Sequence, residues 1–152
     1  LRFIEFPKNG LDEMKKIIRK ISISTGCILL IDYGYFKPNN KNTLQSVIKH
    51  KKNYVLKNLG KADITSHVNF SLLNEFFKKN KLKVKMPVTQ KEFLHNMGIK
   101  NRAEIIAKKL KFSDQADLYY RLKRLTDPHS MGDLFKTILA YNFKSNKYFG
   151  FK

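Results

Sequence analysis

Met14, Ile17, Ile18 and Ile21 recur at i, i+3, i+4 and i+7, the spacing of one apolar helical stripe, and predict a helix over 11–22. Ser24-Thr25-Gly26 closes it. The next five residues, Cys27-Ile28-Leu29-Leu30-Ile31, are all apolar. After a helix, and bounded by turn signals, such a run reads as a strand of a parallel sheet, buried on both faces. It stops at Asp32-Tyr33-Gly34. Residues 35–62 show no period and are rich in Asn and Lys, so they read as a long excursion with one short helical piece.

The second half is more regular. Asn69 fits an N-cap for a helix over 70–80, with Leu72, Leu73, Phe76 and Phe77 as its apolar face. Residues 82–88 alternate apolar and lysine, as in a strand with one solvated face or at a sheet edge. Thr89-Gln90-Lys91-Glu92 has the form of a capping box and opens a run of helices over 89–125. Gly98 closes the first of these, Ser113 is placed to cap the last, and Asp127-Pro128 ends it. Residues 133–143 are open between helix and strand: propensity favours helix, but Thr137, Ile138 and the preceding break allow a strand. Helix, strand, helix, strand, helices and a last apolar segment make half of a doubly wound α/β sheet. A strand buried on both faces needs neighbours on both sides, so the chain is expected to be the C-terminal part of a larger domain. Its opening on Leu1 fits that expectation.

Composition changes this picture little. The 152 residues suit one core. The longest apolar run, Cys27–Ile31, is far short of the roughly 20 residues that span a bilayer, so no membrane insertion is expected. Cys27 is the only cysteine and excludes an intrachain disulfide; its apolar neighbours predict a buried, inert thiol. The net charge of +19 raises nucleic acid as a partner. The lysine pairs are scattered, however, and abundant Lys, Asn and Ile together point to compositional bias instead. A non-catalytic basic module that binds nucleic acid or another partner is the alternative function.

Candidate chemistry gathers in two places. Ligands of open α/β sheets bind beyond the carboxyl ends of the strands. Asp32 is delivered to such an end, though an Asp before Gly34 is also a common turn former. Asp63, Thr65 and His67 lie within five residues ahead of a predicted helix; a plain capping segment explains them as well. His50, His67, His95 and His129 form no metal-ligand spacing, so no metal is expected. No glycine-rich phosphate loop is present.

These residues also carry a resemblance. Gly26–Gly34, then Asn42-Thr43-Leu44-Gln45 with His50, then Ala62–Phe70 are similar, in order, to the MidA family of S-adenosylmethionine-dependent methyltransferases. That family includes a mitochondrial assembly factor for respiratory complex I. The match continues through Thr89–Leu94, Met97-Gly98-Ile99, Arg102-Ala103 and Met131–Lys136, and Glu5 and Pro7 fall where the family has a Glu-x-x-Pro-like segment. Asn42 stands where the family usually has Gly, and Asn69 where it usually has Asp.

The resemblance implies the C-terminal portion of a class I, Rossmann-like methyltransferase fold with additional helices, the SAM-binding N-terminal half preceding Leu1. It makes 134–141 the final antiparallel strand. It implies S-adenosyl-L-methionine as cofactor, Asp32, Asp63 and His67 as catalytic, Asp32, Tyr33 and Gly34 as cofactor-binding, and Tyr33, Thr65 and His50 as substrate-binding residues. The implied partners are a protein substrate methylated on arginine, a complex I subunit among the candidates, and a second copy of the chain in a homodimer. The implied location is the mitochondrial matrix or a bacterial cytoplasm.

Overall fold

A computed structural model describes residues 4–37, 42–145 and 147–151. Helix α1, Lys8–Ile23, turns Leu11 and Ile18 fully inward, with Met14 and Ile21 packed beside them. Ile17, at 46% exposure, falls outside this stripe. Strand β1 follows as Cys27–Tyr35, longer than the five apolar residues suggested. Asp32, Tyr33 and Gly34 therefore lie inside the strand. Pairing causes the extension: the ladder to β7 (Phe135–Tyr141) runs from Cys27↔Tyr141 to Tyr33↔Phe135. Beyond it, Gly34 and Tyr35 pair in parallel with Val68 and Asn69, the two residues of β5.

Residues 35–62 differ most from expectation. Among the described residues they carry no helical piece; 38–41 lie outside these. Strands β2 (Gln45–Ile48) and β3 (Lys51–Asn53) pair with each other, and β4 (Asp63–Thr65) pairs with β2, giving a small antiparallel sheet in the order β3-β2-β4. Strands of three or four residues are too short to show a period, and tertiary pairing makes them. Asp63 and Thr65 consequently sit in a strand and not in a helix cap.

Helix α2, Phe70–Lys79, starts as expected, with the Asn69 side chain accepting from the Leu72 N–H. Phe70 and Phe77 are completely buried against β1, β7 and α1. Strand β6, Lys83–Thr89, is an edge strand of the main sheet, β5-β1-β7-β6. Its register slips between Lys85 and Val88, around Pro87, where a residue without an N–H is tolerated. The Thr89–Glu92 capping box is present and opens α3, Gln90–Asn96. Gly98 takes the left-handed φ of 79° that ends this helix. Helices α4 (Ile99–Ala107) and α5 (Phe112–Thr126) follow, then a π-helical turn over Pro128–Gly132. Ser113 does not cap α5: that helix begins two residues earlier than such a cap would set, at Phe112, with Lys111 at the N-cap and no side-chain cap. Residues 135–141 are a strand, antiparallel between β1 and β6.

The main sheet is covered on one face only along β1. Ile28 and Gly34 are buried beneath α1 and α2, whereas Leu29 and Ile31 on the opposite face are 46% and 47% exposed. Cys27, on that same open face, is exposed and not buried as its neighbours suggested. An apolar run does mark a strand, but which of its faces is covered depends on what else packs there.

Candidate functional site

Among the described residues, a cavity of about 370 Å³ opens between the start of α1, the second half of β1 and the segment leading into α2. Leu11, Met14, Leu30, Leu72 and Leu73 give it an apolar floor, while Glu5, Asp32, Tyr35, His67 and Asn69 supply polar groups. An apolar pocket with a few convergent polar groups is the usual form of a ligand site.

Three separate stretches of sequence meet at its rim. The Thr43 N–H and hydroxyl donate to the two oxygens of the Glu5 carboxylate at 2.9 and 2.6 Å, and the His67 N–H donates to Thr43 Oγ1 at 2.9 Å. The Glu5 segment before α1, the Thr43 segment before β2 and the His67 segment before β5 are thus one clasp. The hydrogen bonds to carboxylate are charge-assisted and hold Glu5 rigidly. The ring of His67 packs edge-on against Tyr33, with centroids 5.6 Å apart, and Tyr33 packs at the same separation on Phe135. Asp32 Oδ1 accepts from the Tyr33 N–H at 2.8 Å.

Tyr35 was not legible as a site residue. Burial pushes its hydroxyl pKa above 10.0, the Glu5 charge adds to the rise, and a hydrogen bond with the Asn69 side chain opposes it. Its neutral phenol is thereby favoured inside the cavity. Lys136, opposite Asp32 in the ladder, is 8% exposed. Its ammonium donates to the Asp133 carbonyl and lies 5.1 Å from the centre of the Phe36 ring. Burial lowers its pKa, against the raising effect of Asp133 and Glu92. Neither residue belongs to a spacing pattern; only the fold gives them these surroundings.

The expected site residues divide. Asp32 and His67 line the cavity, and Tyr33 supports His67 from beside it. Asp63 is exposed on β4, Thr65 ends the same strand, and His50 sits in the turn between β2 and β3; none of the three lines the cavity. At Gly34 a Cβ would come within 2.2 Å of the Val68 carbonyl oxygen and 2.8 Å of the Phe70 ring. That glycine lets β5 and α2 close onto β1, so the space above it is filled by the protein itself.

With this geometry in place, comparison with known proteins is decisive. The family model described as "Putative S-adenosyl-L-methionine-dependent methyltransferase" matches residues 2–88, more than half of the chain. The chain belongs to this methyltransferase family. The mitochondrial protein arginine methyltransferase NDUFAF7 of Danio rerio is 30% identical over 129 residues, which are 85% of this chain and 30% of that protein. The Homo sapiens counterpart is 30% identical over 123 residues, 80% of this chain and 27% of that protein. A solved Burkholderia thailandensis structure superposes with a TM-score of 0.75 at 23% identity, over 90% of this chain and 38% of that one. A second structure from that organism, bound to S-adenosyl-homocysteine, gives 0.74 at 22% identity over 91% and 38%. The fold is therefore a partial Rossmann-like methyltransferase fold, with the final strand antiparallel. The chain spans about a third or less of the curated relatives it matches.

Proposed function

We propose that this chain forms the methyl-acceptor side of a SAM-dependent protein-arginine methyltransferase, completed by polypeptide outside these residues. The observation that carries the reading is the cavity at β1. It sets two carboxylates, Glu5 and Asp32, around an apolar floor beside β1. Carboxylates bind a guanidinium group through paired charge-assisted hydrogen bonds, and an apolar floor accepts the arginine stem. The arginine methyltransferases among the relatives support the same acceptor. A complex I subunit as the natural target, and the mitochondrial matrix as the site of action, rest on the resemblance and on the mitochondrial relatives; the bacterial members of the fold make a cytoplasmic home the counterpart.

When bound, S-adenosyl-L-methionine supplies an electrophilic methyl group on sulfonium sulfur. The residues present fit only part of that ligand's needs. The cavity has room and a mixed lining, but Gly34 is packed over and the chain has no glycine-rich loop, so the nucleotide end requires other polypeptide. In this reading Asp32 aims the guanidinium, a positioning task on which methyl transfer chiefly depends. His67 is placed on the cavity wall to receive the proton the nitrogen releases, with Tyr33 fixing its ring.

The test is methylation of an arginine-bearing protein acceptor by the full-length enzyme. Asp32→Asn is expected to lower turnover by about a hundredfold, as loss of a positioning group does, while binding of S-adenosylhomocysteine persists. Asp63→Ala, outside the cavity, is expected to cost less. Full turnover in a folded Asp32→Asn enzyme would refute the assignment.

A further inference from the structure

The small β2-β3-β4 sheet carries a charge pattern that methyl transfer does not use. Between Asp32 and Asp63 the chain has no acidic residue, while Lys49, Lys51, Lys52, Lys57 and Lys61 are all exposed. Among the described residues the ion pairs lie elsewhere, on α1, α2 and α5, and none of these lysines joins one. Tyr54, Leu56 and Leu59 stand out from the same surface at 83%, 84% and 65% exposure.

The backbone at the tip adopts a costly form to display these groups. Ile48 pairs with Lys51, so Lys49-His50 is a two-residue hairpin turn. Both have left-handed φ, 49° and 60°, as in a type I′ turn. Asn-Gly takes that form with little strain, whereas a lysine at the first position does not. Strain of this kind is often kept for function, and the opposite end of the hairpin and the loop after it are fixed by side-chain bonds. Asn53 Nδ2 donates to Ser46 Oγ at 3.1 Å and to the Lys57 carbonyl at 2.7 Å, and Asn58 Nδ2 donates to Asn53 Oδ1 at 3.2 Å.

The sheet is also tied to the cavity, because Thr43, at its base, holds Glu5 and His67. At about 3.3 Å per residue, the four residues of β2 span about 13 Å, and the basic turn lies beyond their far end.

We propose that the β2-β3-β4 sheet docks an acidic segment of the protein substrate, at least about four extended residues along the chain from the methyl acceptor. This rests on the methyltransferase reading above. The two charge signs select the partner. A peptide with an arginine and nearby Asp or Glu matches carboxylates in the cavity and lysines on the sheet at once. A nucleic acid matches the lysines alone and is repelled by Glu5 and Asp32. Lysines on an edge strand also discourage unwanted pairing. That accounts for Lys51 and Lys52 on β3, but not for the strained Lys49-His50 turn or for Lys57 and Lys61 beyond the strand.

The experiment uses the full-length protein and three fluorescent probes: a short arginine peptide with an Asp/Glu segment about four residues away, its Asn/Gln counterpart, and a single-stranded DNA oligonucleotide of equal charge. The acidic peptide is expected to bind about tenfold more tightly than the neutral one at low salt, and more tightly than the DNA. Lys51→Glu/Lys52→Glu should abolish the preference. Lys49→Asn/His50→Gly should weaken it while raising the thermal midpoint, a combination that damage to the fold cannot produce. Equal binding of the two peptides, equal binding of the DNA, or variants that keep the preference would overturn the proposal. S-adenosylhomocysteine binding is measured alongside. If the protein prefers the acidic peptide but does not bind the cofactor product, the methyltransferase reading fails and the docking surface stands.

Discussion

At Gly34 a single hydrogen atom decides whether β5 and α2 can reach β1. A methyl group there would collide with backbone, which cannot swing aside as a side chain can. Gly34→Ala should therefore destabilise the fold by about 3 kcal/mol, the upper end for overpacking, read as a shift in the denaturant midpoint. Tyr35 makes a prediction about pH. Its pKa is raised in the fold, so the folded protein holds the phenol proton where the unfolded chain has lost it. The resulting stability is complete below about pH 10 and is lost as pH rises through the folded value. Tyr35→Phe should flatten that alkaline loss without removing it all, because Tyr141 is also raised, chiefly through its hydrogen bond with Tyr148. Denaturant midpoints followed from neutral to about pH 11 measure the difference. The sequence displayed Asp32 and His67 because polar residues after an apolar run, or ahead of a cap, are conspicuous. It hid Tyr35 and Lys136, whose unusual surroundings come from segments far away in the chain.

Elements were legible where they carry their own signals. The stripe of α1, the Asn69 cap and the Thr89–Glu92 box are local, and each appears in the fold. The last strand was ambiguous by propensity, since β7 is made by pairing on both sides. The β2-β3-β4 sheet was invisible for the same reason. Long-range side-chain bonds are equally hidden. Asn142, just past β7, accepts from the Gly26 N–H at 2.9 Å and donates to the Ile21 and Ser24 carbonyls at 2.7 Å. It thus ties the end of α1 to the start of β1, adding to the bond that the Ser24 N–H already gives the Ile21 carbonyl. Asn142→Ala should cost about 2–3 kcal/mol, given roughly 1 kcal/mol for each bond. Thermal unfolding checks this, and Asn142→Asp should recover little, because it keeps the acceptor and loses the donors.

Among the described residues, one face of the main sheet along β1 carries no covering layer. Leu29 and Ile31 face outward beside Cys27, and the edge of β1 before Gly34 is unpaired among the described residues. The same open face explains why Cys27 is exposed despite its apolar neighbours; on the proposed reading, polypeptide outside these residues would cover it. Leu29→Asp, at a half-exposed position outside the cavity lining, should cost residues 1–152 about 1 kcal/mol, yet destabilise the full-length protein more strongly. The central claim, that these residues supply the acceptor side and need other polypeptide to hold the cofactor, is tested most directly by calorimetric titration of S-adenosylhomocysteine. It is run on the full-length protein and on residues 1–152, with circular dichroism establishing that the latter is folded. The account predicts binding to the full-length protein and affinity for residues 1–152 weaker by at least about a hundredfold, or roughly 2.7 kcal/mol. Equal affinity for the two would contradict it.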